Sequence, residues 1–324
     1  MRKISKILFV FVALAMLTAC GASGSESKTV KIGVAIYKYD DNFMTVYREQ
    51  LAKIFEAKNT DSVTYELTFQ DGKGDQAEQT NQIDAFISQG MDLIIANLVD
   101  PASAATVIDK AKAAEIPVVF INREPAEDDL LIWEGRTAYV GADARQSGTF
   151  QGQIILDLET KGDINGDGVV SYVMIVGDPA NIDAQYRTEY SIKALTDAGV
   201  TVDKLLEQRG DWEQPKGQEI AAGALAQFGD KVEVIFANND AMALGALQAI
   251  ESAGRTVGED IYLVGVDALD EVVTLVNEGR ITGTVLNDAE GQATKAVDVA
   301  LRLLDGESVD THYWVDYVKV VKEQ

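Results

Sequence analysis

The residues of this chain that could do chemistry recur at one kind of place, immediately after apolar runs rich in Val, Ile and Leu. Tyr37-Lys38-Tyr39-Asp40-Asp41-Asn42-Phe43 follows the first run, and Asn97 to Pro101 closes another. Asp178 to Arg187 comes after Ser171–Val176, Asn238-Asn239-Asp240 after Val232–Ala237, Asp267 after Tyr262–Val266 and Asn287-Asp288 after Thr284–Leu286. Carboxylates, amides and a guanidinium gathered in one place can accept from and donate to every hydroxyl of a small neutral polyol. The aromatic side chains of Phe43 and Trp212 offer flat apolar faces for the C–H side of a sugar ring. Each residue also has a plainer use. Asp41, Asp183 and Asp240 stand where helix N-caps stand, Arg187 lies four residues beyond Asp183, and Phe43 and Trp212 suit a core.

A second group is the run Asp163-Ile164-Asn165-Gly166-Asp167-Gly168-Val169-Val170-Ser171. It follows the D-x-[DN]-x-[DN]-G pattern, in which oxygens at alternate positions and a turn-permitting Gly wrap a hard cation such as Ca²⁺. The twelfth position is Met174, so a local bidentate carboxylate is missing, and a solvated acidic turn fits the same letters.

The elements that must position these residues alternate. Strand candidates are Val30–Tyr37, Tyr65–Gln70, Leu93–Leu98, Val118–Asn122, Ala138–Val140, Ser171–Val176, Val232–Ala237, Tyr262–Val266, Thr284–Leu286 and a last one over Tyr313–Val321. Several are unbroken Val/Ile/Leu runs, the pattern of parallel strands buried on both faces. Helical periods lie between them, which predicts right-handed crossovers and an α/β fold. Ten strands exceed one usual open sheet, which favours two lobes, and the polar residues at the strand ends speak against a (β/α)₈ barrel. In open α/β sheets the ligand sits outside the carboxyl ends of the strands, where the polar residues stand. No G-x-G-x-x-G, nucleophile elbow or Walker lysine accompanies them.

The chain has 324 residues with one Cys and one His, which excludes a disulfide scaffold and Cys- or His-rich metal centres. Twenty-eight basic against 52 acidic residues give a net charge of −24, unsuited to nucleic acid or other polyanions. A basic start and the short apolar run Ile7–Leu17 end in Leu17-Thr18-Ala19-Cys20, which resembles a bacterial lipoprotein signal. The resemblance implies cleavage after residue 19, a lipid on Cys20 and a tether over 20–29. Losing residues 1–19 removes Arg2, Lys3 and Lys6 and no acidic residue, so the net charge becomes −27.

Longer stretches carry a family resemblance. VAIYKYDDNFM (34–44), ANLVDP (96–101), residues 117–125, ANNDAMALG (237–245), GVDAL (265–269) and GTVLNDA (283–289) resemble the periplasmic galactose/glucose-binding proteins. That implies a periplasmic binding protein-like α/β fold: two Rossmann-like lobes joined by a three-crossing hinge. We place the lobes at 30–122 plus 288–308 and 123–287 plus 309–324. It also implies a hexose receptor, not an enzyme, serving an ABC transporter permease. By position, Asp41, Asn97, Asp183, Arg187, Asn239, Asp267 and Asn287 would take the hydroxyls, with Phe43 and Trp212 sandwiching the ring. Asp41 implies acceptance of both D-glucose and D-galactose. Asn181 replaces a family histidine, so hexose binding is expected to survive with altered affinity or epimer preference.

The same family recruits a distant glutamate to its calcium loop, here Glu233, and Ser171 replaces a glutamine. The expected structural Ca²⁺ ligands are therefore Asp163, Asn165, Asp167, the Val169 carbonyl, Ser171 and Glu233. The expected state is a monomer outside the cytoplasm, lipid-anchored to the cell membrane, with a chemotaxis role open. The alternatives are a receptor feeding a membrane kinase, or a binder of another monosaccharide. A glycosidase using Asp41, Asp183 and Asp267 is disfavoured, because the neighbouring arginine and amides would keep the carboxylates ionised. A DNA-binding repressor is disfavoured by the acidic charge and the N-terminal signal.

Overall fold

The computed structural model describes residues 27–322. The signal segment and Cys20 lie outside the described residues. Among the described residues, twelve strands and ten α-helices alternate. The first half runs β1 (Lys28–Ile36), α1 (Asn42–Ala57), β2 (Val63–Asp71), α2 (Gln76–Ser88), β3 (Leu93–Ala96), α3 (Ala104–Ala113), β4 (Val118–Ile121), α4 (Glu127–Leu130) and β5 (Thr137–Gly141). It continues with α5 (Ala144–Leu156), β6 (Val170–Val176), α6 (Ile182–Asp197), β7 (Val202–Arg209), α7 (Gln214–Phe228), β8 (Val234–Ala237) and α8 (Asp240–Ser252). The remainder is β9 (Tyr262–Val264), α9 (Asp270–Glu278), β10 (Gly283–Leu286), α10 (Ala289–Leu304), β11 (His312–Trp314) and β12 (Val318–Val321).

Two six-stranded sheets form, ordered β11-β5-β4-β3-β1-β2 and β12-β10-β9-β8-β6-β7. Every pairing is parallel except β10 with β12. Central strands such as Leu93–Ala96 and Val234–Ala237 are buried along their whole length, which explains their unalternating sequences. Helices cover both faces of each sheet. In the first lobe, α10 contributes Ala293, Val297 and Ala300 to one core, while Ile83 and Phe86 of α2 fill the other.

The division between lobes differs from the sequence reading at two places. β5 pairs with β4 from Val118↔Thr137 to Ile121↔Val140, so the segment 123–141 belongs to the first lobe. The irregular stretch after Arg123 is a β4–β5 connection holding the short α4, and the first crossing falls at 142–143. The strand expected over Tyr313–Val321 is two strands. β11 pairs with β5 in the first sheet and β12 with β10 in the second, so the third crossing runs through Val315–Tyr317. The tether read to residue 29 is also shorter, since β1 starts at Lys28.

Candidate functional site

Both sheets reverse their order beside their first strand, at β1/β3 and at β6/β8, the crevice position of doubly wound sheets. The carboxyl ends of the two sheets meet around a small cavity of about 30 Å³. The first lobe lines it with Tyr37, Asp41, Phe43, Asn122 and Arg123. The second supplies Asn181, Asp183, Arg187, Trp212, Asn239 and Asp267, and Asn287 stands at the second crossing.

Several lining residues cap a helix as well. Asp41 Oδ1 accepts from the Met44 amide at 2.7 Å while its Oδ2 accepts from the Tyr37 hydroxyl at 2.6 Å. Asn181 Oδ1 takes the Asp183 amide at 3.1 Å and Asn239 Oδ1 the Met242 amide at 3.0 Å. Cap and cavity are therefore one arrangement: three helix N-termini point their first turns at the ligand space. Asp183, 5% exposed, has its carboxylate 3.5 Å from Arg187. Arg187 donates Nη1 to the Asn238 carbonyl at 2.8 Å and Nη2 to the Tyr317 hydroxyl at 3.0 Å. Its Nε and the Trp212 Nε1 are buried without a protein partner. Asn287 donates to Asp267 at 3.3 Å and accepts from Gln292 at 2.6 Å.

Burial pushes the Asp183 carboxyl up, opposed by Arg187 and then Arg123. Burial also lifts Asp267 well above the usual range, against Arg187 and with Asp240 adding to it. Both carboxyls are thus poised to gain from hydroxyl donors that replace lost water.

Asn97 departs from expectation. It is fully buried behind the cavity wall, its Nδ2 donating to the Ile121 carbonyl (3.2 Å) and Asn122 Oδ1 (3.0 Å), its Oδ1 accepting from the Tyr37 amide. It holds the Asn122–Arg123 turn, where Asn122 sits at φ 61° and its carbonyl accepts from Tyr139. Arg123 stacks 3.8 Å over the Tyr37 ring, donates to the Val99 carbonyl at 2.7 Å, and faces Asp178 of the other lobe at 3.7 Å. Asn122 and Arg123 were not among the expected residues, and Tyr37 entered only as part of the run after the first strand; in the structure all three line the cavity. The strand-end rule finds Asn122 and Arg123 when applied to β4.

Glu124 lies beside this turn, with His312 Nε2 at 3.6 Å. Burial, then Asp183 and Asp143 of the second lobe, push its carboxyl up to about 7. Burial lowers the His312 pKa, which weakens it as a cationic partner. A carboxyl raised in the folded state costs nothing below the ordinary Glu range, and its penalty grows until the pH passes about 7. Glu124→Gln is therefore expected to raise the melting midpoint at pH 8 and leave it unchanged at pH 4, by scanning calorimetry.

The Asp163 loop precedes β6, at the opposite end of that strand from the cavity. Seven strand residues separate the two by about 20 Å. Asp163 accepts backbone N–H bonds from Gly166, Asp167 and Gly168, and Asp167 accepts from Val169. Glu233 reaches in from the start of β8 and takes the amides of Ile164 (2.8 Å), Asn165 (3.0 Å) and Ser171 (2.8 Å). The structure thus joins Glu233 to the loop. Among the described residues no three His, Cys, Asp or Glu side chains are placed to hold an ion by themselves. Neutral oxygens from Asn165, Val169 and Ser171 would have to complete a set, and such a hard-oxygen donor set suits Ca²⁺.

Comparison with known proteins follows the same lines. A family model described as a periplasmic binding protein domain matches residues 32–308. The D-galactose/methyl-galactoside binding periplasmic protein MglB of Haemophilus influenzae is 36% identical over 312 residues, covering 95% of this chain and 91% of that protein. An ABC transporter solute binding protein from Bacillus halodurans, solved with bound myo-inositol, is 28% identical with a TM-score of 0.77, covering 93% and 96% of the two chains. One from Actinobacillus succinogenes with bound D-allose has a TM-score of 0.80 at 20% identity, covering 91% and 98%, a likeness of fold alone. Among the described residues no helix is long and apolar enough to cross a membrane.

Proposed function

The chain belongs to the periplasmic binding protein family, and from that premise we propose that it captures D-galactose or D-glucose between its lobes for an ABC transporter. It is a binding protein, not an enzyme. The observation that carries the reading is the cavity itself, where Asp41, Asp183, Asp267 and Arg187 face the apolar rings of Phe43 and Trp212. The galactoside-binding relative supports the choice of sugar. Sugar contacts from the second lobe favour the closed form, and only by the difference in affinity between the open and closed states. Calorimetric titration with D-galactose and D-glucose tests this. Micromolar binding, about 8 kcal/mol, is expected, and no heat with either sugar overturns it.

A second reading, another monosaccharide or a cyclitol, is favoured by Asn181. Its oxygen is engaged by the Asp183 amide, leaving only the Nδ2 donors for ligand. The myo-inositol complex of the Bacillus halodurans protein supports including that ligand in the titration.

The mature chain is held outside the cytoplasm by a lipid on Cys20 and works as a monomer, since closure needs both lobes free. Loss of hexose uptake on deletion separates transport from a purely sensory role, whether in chemotaxis or toward a membrane kinase. The Asp163 loop with Glu233 takes a structural Ca²⁺, which would neutralise carboxylates crowded at the start of β6 and β8. Calcium added after chelation is expected to raise the melting midpoint, and an unmoved midpoint rules the ion out.

A further inference from the structure

We propose that Tyr317 is a positioning residue that sets the Arg187 guanidinium for the bound sugar and ties it to the third lobe crossing. The inference rests on the reading of the cavity as a sugar site. Tyr317 does not line that cavity, and no motif singles it out. It sits between β11 and β12, in the three-residue link that leaves one sheet and enters the other.

Three observations carry the assignment. Tyr317 is 3% exposed although it belongs to a connection rather than an element. Its backbone amide donates to Gln146 Oε1 on α5 at 2.7 Å, which fixes the link against the second lobe. Its hydroxyl oxygen accepts from Arg187 Nη2 at 3.0 Å. Burial above all, with Asp183 adding and Arg187 opposing, holds the phenol up at about 12, so it stays neutral beside the carboxylates.

The consequence lies in the guanidinium's remaining donors. The Asn238 carbonyl fixes Nη1 and Tyr317 fixes Nη2, which defines the plane of the group. Nε is then the donor left buried and without a protein partner. A guanidinium is a rigid fork, so holding two nitrogens aims the third. Without the phenol oxygen, Nη2 keeps only the 3.5 Å approach to Asp183, and the plane can turn toward that carboxylate. The sugar would then meet a differently presented donor and an acceptor already occupied. The same contact makes the crossing sense the site, because any movement of Val315–Tyr317 on closure moves the hydroxyl that holds Arg187.

The test is a double-mutant cycle on the full mature protein, with D-galactose binding read by calorimetry and apo melting measured alongside. Tyr317→Phe keeps the ring and removes only the hydroxyl. We expect it to weaken binding about 5- to 20-fold while the apo midpoint stays within about 2 °C. In an Arg187→Lys background the same change is expected to alter affinity less than about twofold, because the group it positions is gone. Unchanged affinity in Tyr317→Phe overturns the proposal. So does an equal loss in both backgrounds, which a general structural role would give. Wild-type protein that fails to bind galactose or glucose overturns the sugar reading and this inference with it. Normal wild-type binding with a silent Tyr317→Phe overturns the inference alone.

Discussion

Replacing Arg187 with methionine is expected to weaken hexose binding by more than about 100-fold and to destabilise the protein by about 3–5 kcal/mol at neutral pH. The guanidinium is 3% exposed and serves the Asp183 carboxylate, the Asn238 carbonyl and the Tyr317 hydroxyl together. It also opposes the burial that raises both Asp183 and Asp267. With it gone, Arg123 still opposes at Asp183 and the Asn287 hydrogen bond at Asp267, and neither carries the opposition that Arg187 gave. Both carboxyls then take protons more readily and lose acceptor capacity for sugar hydroxyls. The sign of the pH effect follows. Where folded and unfolded chains both carry the protons, in acid, the variant loses least. Its deficit widens as the pH rises above the ordinary Asp range. Calorimetric titration and melting at pH 5 and pH 8 check both parts, and a variant with wild-type affinity would remove Arg187 from the site.

Trp212→Ala is expected to cost about 2 kcal/mol of binding, roughly 30-fold, with little change in which sugar is preferred. The indole walls the cavity from the second lobe and lies 5.8 Å from the Arg187 guanidinium carbon. Its placement is costly: Trp212 and Asp211 both sit at positive φ, 67° and 53°, a conformation that side chains seldom adopt. The ring fits because Gly177 has no Cβ. One added there would lie 2.2 Å from the indole carbons. Gly177→Ala should therefore weaken binding by displacing the ring, without touching the ring itself. Trp212→Phe, which keeps an aromatic wall, should recover most of the loss. An alanine variant that binds as tightly as the wild type would leave the ring as core packing only.

The fold was legible in the sequence because its signal is local. Buried parallel strands such as Leu93–Ala96 and Val234–Ala237 show themselves as unbroken apolar runs, and the polar residues follow them directly. What escaped is set by pairing across long separations. Nothing within Thr137–Gly141 says that its partner is Val118–Ile121 rather than a strand of the other lobe. Nothing in the run from Tyr313 to Val321 says that its halves join different sheets. At the site, Asp41, Asp183 and Asp240 were weighed as caps; Asp41 does cap its helix while lining the cavity, but Asn181 and Asn239 cap the other two helices. Asn97 was misplaced because its strand-end position is right while its side chain turns back to hold Asn122. Arg123 was overlooked because it opens a charged, irregular stretch that suggested a boundary.

The splitting of the last strand has a consequence for how the chain reaches its native state. β11 and β12 each form one edge of their sheet, and both lie within the ten residues 312–321. Each lobe therefore lacks its final strand until nearly the whole polypeptide is available. The N-terminal lobe cannot be finished first and left to wait, because α10 and β11 come to it only after β6 to β10 of the second sheet. Assembly is interlocked rather than lobe by lobe, and a chain shortened by a dozen residues from Val321 would leave both sheets an edge short.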